Sequence, residues 1–493
     1  MTTPGSAAPL GPWPAGALVF GSSGAVLVVE LASLRLLAPY LGLTLETNTL
    51  VIGLALAAIA AGAWLGGQVA DVRSPRVLLG PLLGASGGAV ALLPAAVRWA
   101  GALGDPAVLV PVASLAIVLP AALLSAVTPM VTKLRLISLD ETGSVVGRLS
   151  GIGTVGAIVG TVVTGFVLVS LVPVSSILVG LGVLLVLGAV VVDVAVRGRR
   201  LGTGAVGAVA LGGLAVVLAP GGCDVETTYH CVVIHTDPDR PSGRVLVMDG
   251  VRHSYVDLDD PTHLDFTYVR AMAAAIDTAY DPGEPLRAHH LGGGGLTLPR
   301  YLDQVRPGTE STVSEIDPGV VEVDVERLGL RTGDDLDVRV EDGRTGLRRL
   351  ADESRDLVVG DAFGGVSIPF HLATSEALTE VRRVLGPGGL YVANLIDHPP
   401  LAFARAETAT LLTRFDHVVV AATPQALDGN DGGNLVVVAG DRQIDLEAWQ
   451  DALDERGTGW GVLTGDRLDD WVGDAEVLSD DHAPVDQLLT PYA

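Results

Sequence analysis

The sequence predicts two architectures in one chain. An N-terminal polytopic α-helical membrane domain of about seven spans (1–220) precedes a small β-meander (221–260) and a C-terminal α/β domain (261–493). Three observations predict this. Of 493 residues, 49% are hydrophobic, yet the formal charge is −25, and the mean hydropathy is +0.48. The charge divides near residue 220: residues 1–220 hold 10 Lys and Arg against 7 Asp and Glu, and residues 221–493 hold 21 against 49. All ten His lie in the second part. Apolar runs fill the first part, and strands alternating with helices fill the second.

The same arithmetic excludes several classes. A single soluble domain is excluded, because a domain usually takes about 100–200 residues and the first half is too apolar for water. A nucleic-acid partner is not expected, since phosphate contacts need clustered Lys and Arg and the polar half is anionic. Aromatics are 4% of the chain, too few for base-stacking platforms. Two cysteines, Cys223 and Cys231, make no disulfide framework.

About 20 apolar residues span a bilayer. Seven such runs are present, at about 16–37, 48–70, 77–97, 107–130, 151–171, 175–196 and 202–220. They are dense in Gly and Ala, which permits close helix approach. Pro111, Pro120 and Pro129 fall in the fourth run and predict a kink there. The first run is not a cleaved leader, having no basic n-region and further spans behind it. Loop cations set orientation. Arg73, Arg76, Lys133, Arg135, Arg148, Arg197, Arg199 and Arg200 share one side, against Arg98 on the other. That makes the N-terminus cytoplasmic and the protein a multi-pass cell-membrane protein with the lipid bilayer as partner. Seven spans place the acidic domain outside; six would place it inside. Glu30 and Arg35 lie in or near the first span. Such charges are functional candidates, although an interhelical ion pair or a snorkelling Arg35 is the reading favoured here. No ion-coordinating repeat supports transport.

In the polar half, "TYHCVVIHTD" and "GRVLVMDGVRHSYVDL" alternate with turn signals and read as a meander. Residues 262–279 have helical periodicity. Strands follow at "RAHHL", "STVSEID", "DVRVEDG", "RDLVVGDAF", "GGLYVANLI", "FDHVVVAA" and "NLVVVAG". Helices are expected at 298–305, 318–328, 372–385 and 401–414. Alternation of this kind argues for a parallel, doubly wound sheet. Ligands bind such sheets at the carboxyl ends of the strands. Four successive strand ends carry Gly292–Gly295, Glu315, Asp342–Gly343 and Asp361. Glycines after a strand let a backbone approach a ligand closely, and an acidic residue about 20 positions on can bind ribose hydroxyls. Each alone is a turn or a solvated loop residue; four in register point to a nucleoside site. His289–His290 read as strand packing, because no Cys, His or Asp spacing completes a metal site.

These segments resemble a known family. "LGGGGLTLPRYL", "SEIDPGVVEV", "VEDGR" and "DLVVGDAFGGVSIPFHLATSEAL" are similar to the core of spermidine synthases, the polyamine aminopropyltransferases. "YHCVVI", "VLVMDGVRHSYVD" and "LSDDHAPVDQLL" extend the likeness at both ends. The apolar half resembles that family's membrane-fused, multi-pass branch. The resemblance implies a Rossmann-like, methyltransferase-type fold. It also implies transfer of an aminopropyl group from decarboxylated S-adenosylmethionine, a co-substrate rather than a resident cofactor, to an amine such as putrescine, releasing methylthioadenosine.

On that resemblance Asp361 is the proton acceptor. Glu315 holds the ribose, with Gly292, Gly293 and Gly294 against the nucleoside. Asp342 and Gly343 bound the adenine, His230 contacts the nucleoside, and Tyr268 lies at the amine. Homo-oligomers are implied as well. Two departures stand out: Gly295 and Gly364 occupy positions where soluble members carry Asp. They imply an altered amine site, with another acceptor or lost catalysis. An S-adenosylmethionine methyltransferase, and a non-catalytic polyamine- or nucleoside-binding transporter or sensor, are the alternative readings. The family's nucleoside is cytosolic, yet seven spans place the domain outside: for the two enzyme readings, either a span is miscounted or the domain does not use that co-substrate. An external domain would favour a disulfide between Cys223 and Cys231, and a cytoplasmic one free thiols.

Overall fold

The computed structural model describes residues 10–41, 45–103, 105–136, 138–197 and 222–490, with isolated positions between 214 and 218. The chain forms two compact units, Met1–Glu226 and Thr227–Ala493.

Six helical stretches in the first unit are long and apolar enough to cross a membrane. They comprise α1 (Pro12–Leu41), α2 (Leu45–Val72), α3 (Pro75–Gly101), α4 with α5 (Pro106–Ser125, Val127–Arg135), α6 (Thr142–Val163) and α7 (Val174–Val192). All six coincide with expected runs. The seventh run, 202–220, lies outside the described residues except for Leu214, Val217 and Leu218. The fourth run is broken at Ala126. Pro129 explains the position: its ring conflicts with the carbonyl four residues back, that of Ser125, where α4 ends. Glycine sets the helix spacing. A Cβ on Gly156 of α6 would lie 2.3 Å from the Phe20 carbonyl oxygen of α1, and one on Gly62 of α2 would lie 2.1 Å from that of Ala122 in α4. Contacts this close need residues without side chains. Glu30 and Arg35 both fall within α1, half-buried.

The second unit carries two sheets. Strand β1 (Val225–Glu226) ends the first unit; in the second, β2 (Cys231–Thr236), β3 (Gly243–Met248) and β4 (Val251–Asp257) lie side by side in that order. The β2–β3 and β3–β4 pairs are antiparallel, as a meander requires. Both cysteines are disulfide-bonded.

The larger sheet has the order β12-β10-β11-β9-β8-β5-β6-β7. Its strands are β5 (Arg287–Leu291), β6 (Glu310–Glu315), β7 (Leu336–Val340), β8 (Arg355–Gly360), β9 (Leu385–Asp397), β10 (His417–Ala422), β11 (Gly433–Gly440) and β12 (Gly461–Leu463). Strands β5 to β9 pair in parallel. The expectation of a wholly parallel sheet is corrected here: β11 pairs antiparallel with both β9 and β10, and β12 antiparallel with β10. The connection 423–432 is the reason. A parallel crossover needs a dozen or more residues, so β11 returns antiparallel between β9 and β10. The outcome is a mixed sheet of the methyltransferase type.

The connecting helices that position the site are α8 (Thr267–Ala279), α9 (Thr297–Val305), α10 (Pro318–Arg327), α11 (Gly343–Arg349), α12 (Ser375–Val384) and α13 (Ala402–Leu412). Helix α8 begins five residues later than its periodicity predicts, after turns at 261–262. Leu357, Val358 and Val359 of β8 are at most 2% exposed, covered on both faces. Burial of each contributes about 1.5–3 kcal/mol, which anchors the strand that ends at Asp361.

Candidate functional site

Parallel strands place their carboxyl ends on one edge, where helices begin and backbone groups need partners. At β5 the chain turns sharply. Gly292 has φ +98°, and a Cβ there would lie 2.2 Å from the Asp361 carbonyl oxygen. The turn is tied to both neighbouring strands: the Gly292 N–H donates to the Ser314 carbonyl and the Asp361 N–H to the Leu291 carbonyl, each at 3.0 Å. Glu315 reads the turn directly. Its Oε2 accepts from the Gly293 N–H (2.7 Å) and its Oε1 from the Asp317 N–H (2.8 Å). Burial pushes its carboxyl above the usual range, against the pull of these two donors.

Asp342 caps α11, its Oδ1 accepting from the Thr345 N–H at 2.9 Å. Its Oδ2 lies 2.7 Å from His371 Nε2. Burial acts to raise this carboxyl, but the bonds from Thr345 and His371 prevail and hold it below the ordinary value. His230 pairs through Nδ1 with Asp249 Oδ2 at 2.8 Å, and Asp249 Oδ1 accepts from the Cys231 N–H. The meander thereby aims an imidazole at the strand edge.

Asp361 follows β8 and is gripped from two sides. The Tyr268 hydroxyl of α8 donates to its Oδ2 (3.2 Å), and the Asn394 amide of β9 donates to its Oδ1 (2.9 Å). Burial pushes its carboxyl up to about 6, with the Asn394 and Tyr268 bonds opposing. Tyr268 is raised well above its usual value by burial and by the adjacent carboxylate.

All nine residues expected at the site line one cleft of about 170 Å³: His230, Tyr268, Gly292, Gly293, Gly294, Glu315, Asp342, Gly343 and Asp361. Gly295 and Gly364 do not line it. The Gly295 N–H turns instead to the buried Asp324 carboxylate (3.0 Å). His289 and His290 are buried in β5, and burial pushes both imidazoles down to about 3.

Sequence reasoning missed six polar residues of the cleft: Arg252, His253, Ser314, His371, Asn394 and Asn434. Asn394 was findable. It interrupts an apolar strand and is 2% exposed, and a buried polar residue in a central strand is informative. His253 is the residue skipped at a register shift, with Ser254 opposite Leu246 and Arg252 opposite Val247, which defeats simple alternation.

A mixed sheet of the methyltransferase type, with an acidic cleft across the carboxyl ends of its central strands, defines an α/β domain built to hold a small ligand there. No protein-family model matches the chain. The chain nevertheless belongs to the polyamine aminopropyltransferases, a family of enzymes. It is 32% identical over 216 residues to the polyamine aminopropyltransferase of Halorhodospira halophila, a match covering 42% of this chain and 74% of that protein. It is 27% identical over 224 residues to that of Vibrio vulnificus, covering 43% and 70%. The crystal structure of a probable spermidine synthase from Corynebacterium glutamicum is similar at 28% identity and a TM-score of 0.50. That likeness spans 55% of this chain and 99% of that one.

Proposed function

We propose that the cleft transfers an aminopropyl group from decarboxylated S-adenosylmethionine to a small amine, in a chain held in the membrane by its N-terminal helices. The observation that carries this reading is Asp361, a carboxylate fixed by Tyr268 and Asn394 and pushed up to about 6. An ammonium bound there donates a proton to Asp361. The freed nitrogen lone pair attacks the aminopropyl methylene next to sulfur. The N–C bond forms as the C–S bond breaks, and the bonding pair returns to sulfur as the neutral thioether methylthioadenosine. General-base assistance of this kind contributes about 10²–10⁴-fold.

The remaining roles follow the strand edge. Glu315 takes the ribose hydroxyls, Asp342 and Gly343 border the base, and Gly292–Gly294 permit close approach of the backbone. His230 faces the nucleoside, and Tyr268 positions Asp361 and the amine.

Full-length protein in detergent, given decarboxylated S-adenosylmethionine and a panel of amines beginning with putrescine, is expected to release methylthioadenosine. Asp361→Asn is expected to lower the rate at least about 100-fold. No release with any amine would overturn this reading.

A further inference from the structure

The order of the sheet separates the two ends of the cleft. Along its edge lie Asp342 beyond β7, Glu315 on β6, Gly292 beyond β5 and Asp361 beyond β8. Past β8 the edge continues with Asn394 on β9 and Asn434 at the start of β11. Among the described residues lining the cleft, negative charge stops at Asp361. The two amides form a chain leading away from it: Asn434 Nδ2 donates to Asn394 Oδ1 at 2.9 Å, and Asn394 donates to Asp361.

The cation on this lining is Arg252. Its guanidinium lies 4.9 Å over the Phe266 ring and pairs at 3.2 Å with Asp265, which does not line the cleft. His253 also faces the cleft, and its Nε2 is buried with no hydrogen-bond partner. Burial keeps that imidazole neutral, pushed down to about 4.

A diamine brings two cationic nitrogens. One gives its proton to Asp361 and becomes the nucleophile. The other remains an ammonium and, past Asp361, meets the two amides. A buried charge without a counter-charge costs several kcal/mol, whereas a neutral hydroxyl or amide there finds a partner in Asn434.

We infer that the acceptor is a primary amine with a single cationic nitrogen, its far end a neutral hydrogen-bonding group rather than a second ammonium. This rests on the aminopropyl-transfer reading.

The test compares putrescine with 4-aminobutan-1-ol, of equal length with a hydroxyl in place of one ammonium. Both are assayed with full-length protein and decarboxylated S-adenosylmethionine by methylthioadenosine release. The amino alcohol is expected to have the higher kcat/KM, by about tenfold or more, since each 1.4 kcal/mol is tenfold. Asn434→Asp supplies the absent carboxylate and is expected to move the ratio toward putrescine by about tenfold or more. Release of methylthioadenosine with putrescine preferred by the unaltered protein would overturn the inference and leave the transfer reading standing. No release with either amine, nor with the wider panel, would overturn both.

Discussion

At the scale of single residues, Asp361 joins catalysis to stability. Its folded carboxyl sits near 6, against about 3.9 for an unperturbed aspartate. Between those values the native state holds a proton that the unfolded chain releases. The stabilisation is therefore full below about pH 4 and is lost as pH rises through about 6. Transfer needs the deprotonated form, so activity has the opposite slope and rises through about pH 6 to a plateau. Asp361→Asn keeps the two hydrogen-bonding neighbours but removes the ionisation. The variant is expected to lose at least about 100-fold in rate, and at pH 7.5 to melt above the parent, with the gap roughly halved at pH 5 and closed only near pH 4. Thermal unfolding at these pH values checks this; an unchanged gap would contradict the assigned ionisation. Asp361 was legible because it ends an apolar strand beside other acidic strand ends. Asn394, which grips it, showed only as the one amide interrupting "LYVANLI". Asn434 begins β11, a strand whose neighbours are set by pairing far along the chain.

At the scale of elements, the turn after β5 carries the site. Gly292 and Gly283 both have positive φ, +98° and +74°. A Cβ on Gly283 meets nothing within 4 Å, whereas one on Gly292 meets the Asp361 carbonyl at 2.2 Å. Gly283→Ala is expected to cost only the left-handed backbone penalty, about 1–2 kcal/mol. Gly292→Ala adds a backbone collision between β5 and β8. It is expected to destabilise by at least about 2 kcal/mol more, within the range of core overpacking, and to weaken methylthioadenosine binding. Denaturant midpoints and calorimetry on both variants check this, and equal losses would contradict the tight approach. Strand β8 was legible because burial on both faces demands a run of apolar residues, as in "DLVVG"; β5 to β7 ("RAHHL", "ESTVSE", "LDVRV") were legible from their place between helical segments. The direction of β11 and β12 was not. It depends on the shortness of 423–432, which local periodicity does not register.

At the scale of the whole molecule, span count and redox state are linked. On the loop-charge rule, Lys and Arg in the loops would put the N-terminus in the cytoplasm. Six spans return the chain to the cytoplasm, where thiols stay reduced; a seventh at 202–220 delivers residues 221–493 to the oxidising side, where disulfides persist. Cys223 and Cys231 are disulfide-bonded, and 202–220 holds no charged residue between Arg200 and Asp224. Both observations favour the external placement. A reporter that is active only outside the cytoplasm, fused at the C-terminus, is therefore expected to be active. Both thiols are expected to resist alkylation in denatured membranes until a reductant is added. The nucleoside and the amine must then reach the cleft from outside. Intact cells given both compounds in the medium are expected to release methylthioadenosine there without permeabilisation. A cytoplasmic reporter signal together with alkylated thiols would instead fix six spans and require permeabilised cells for activity.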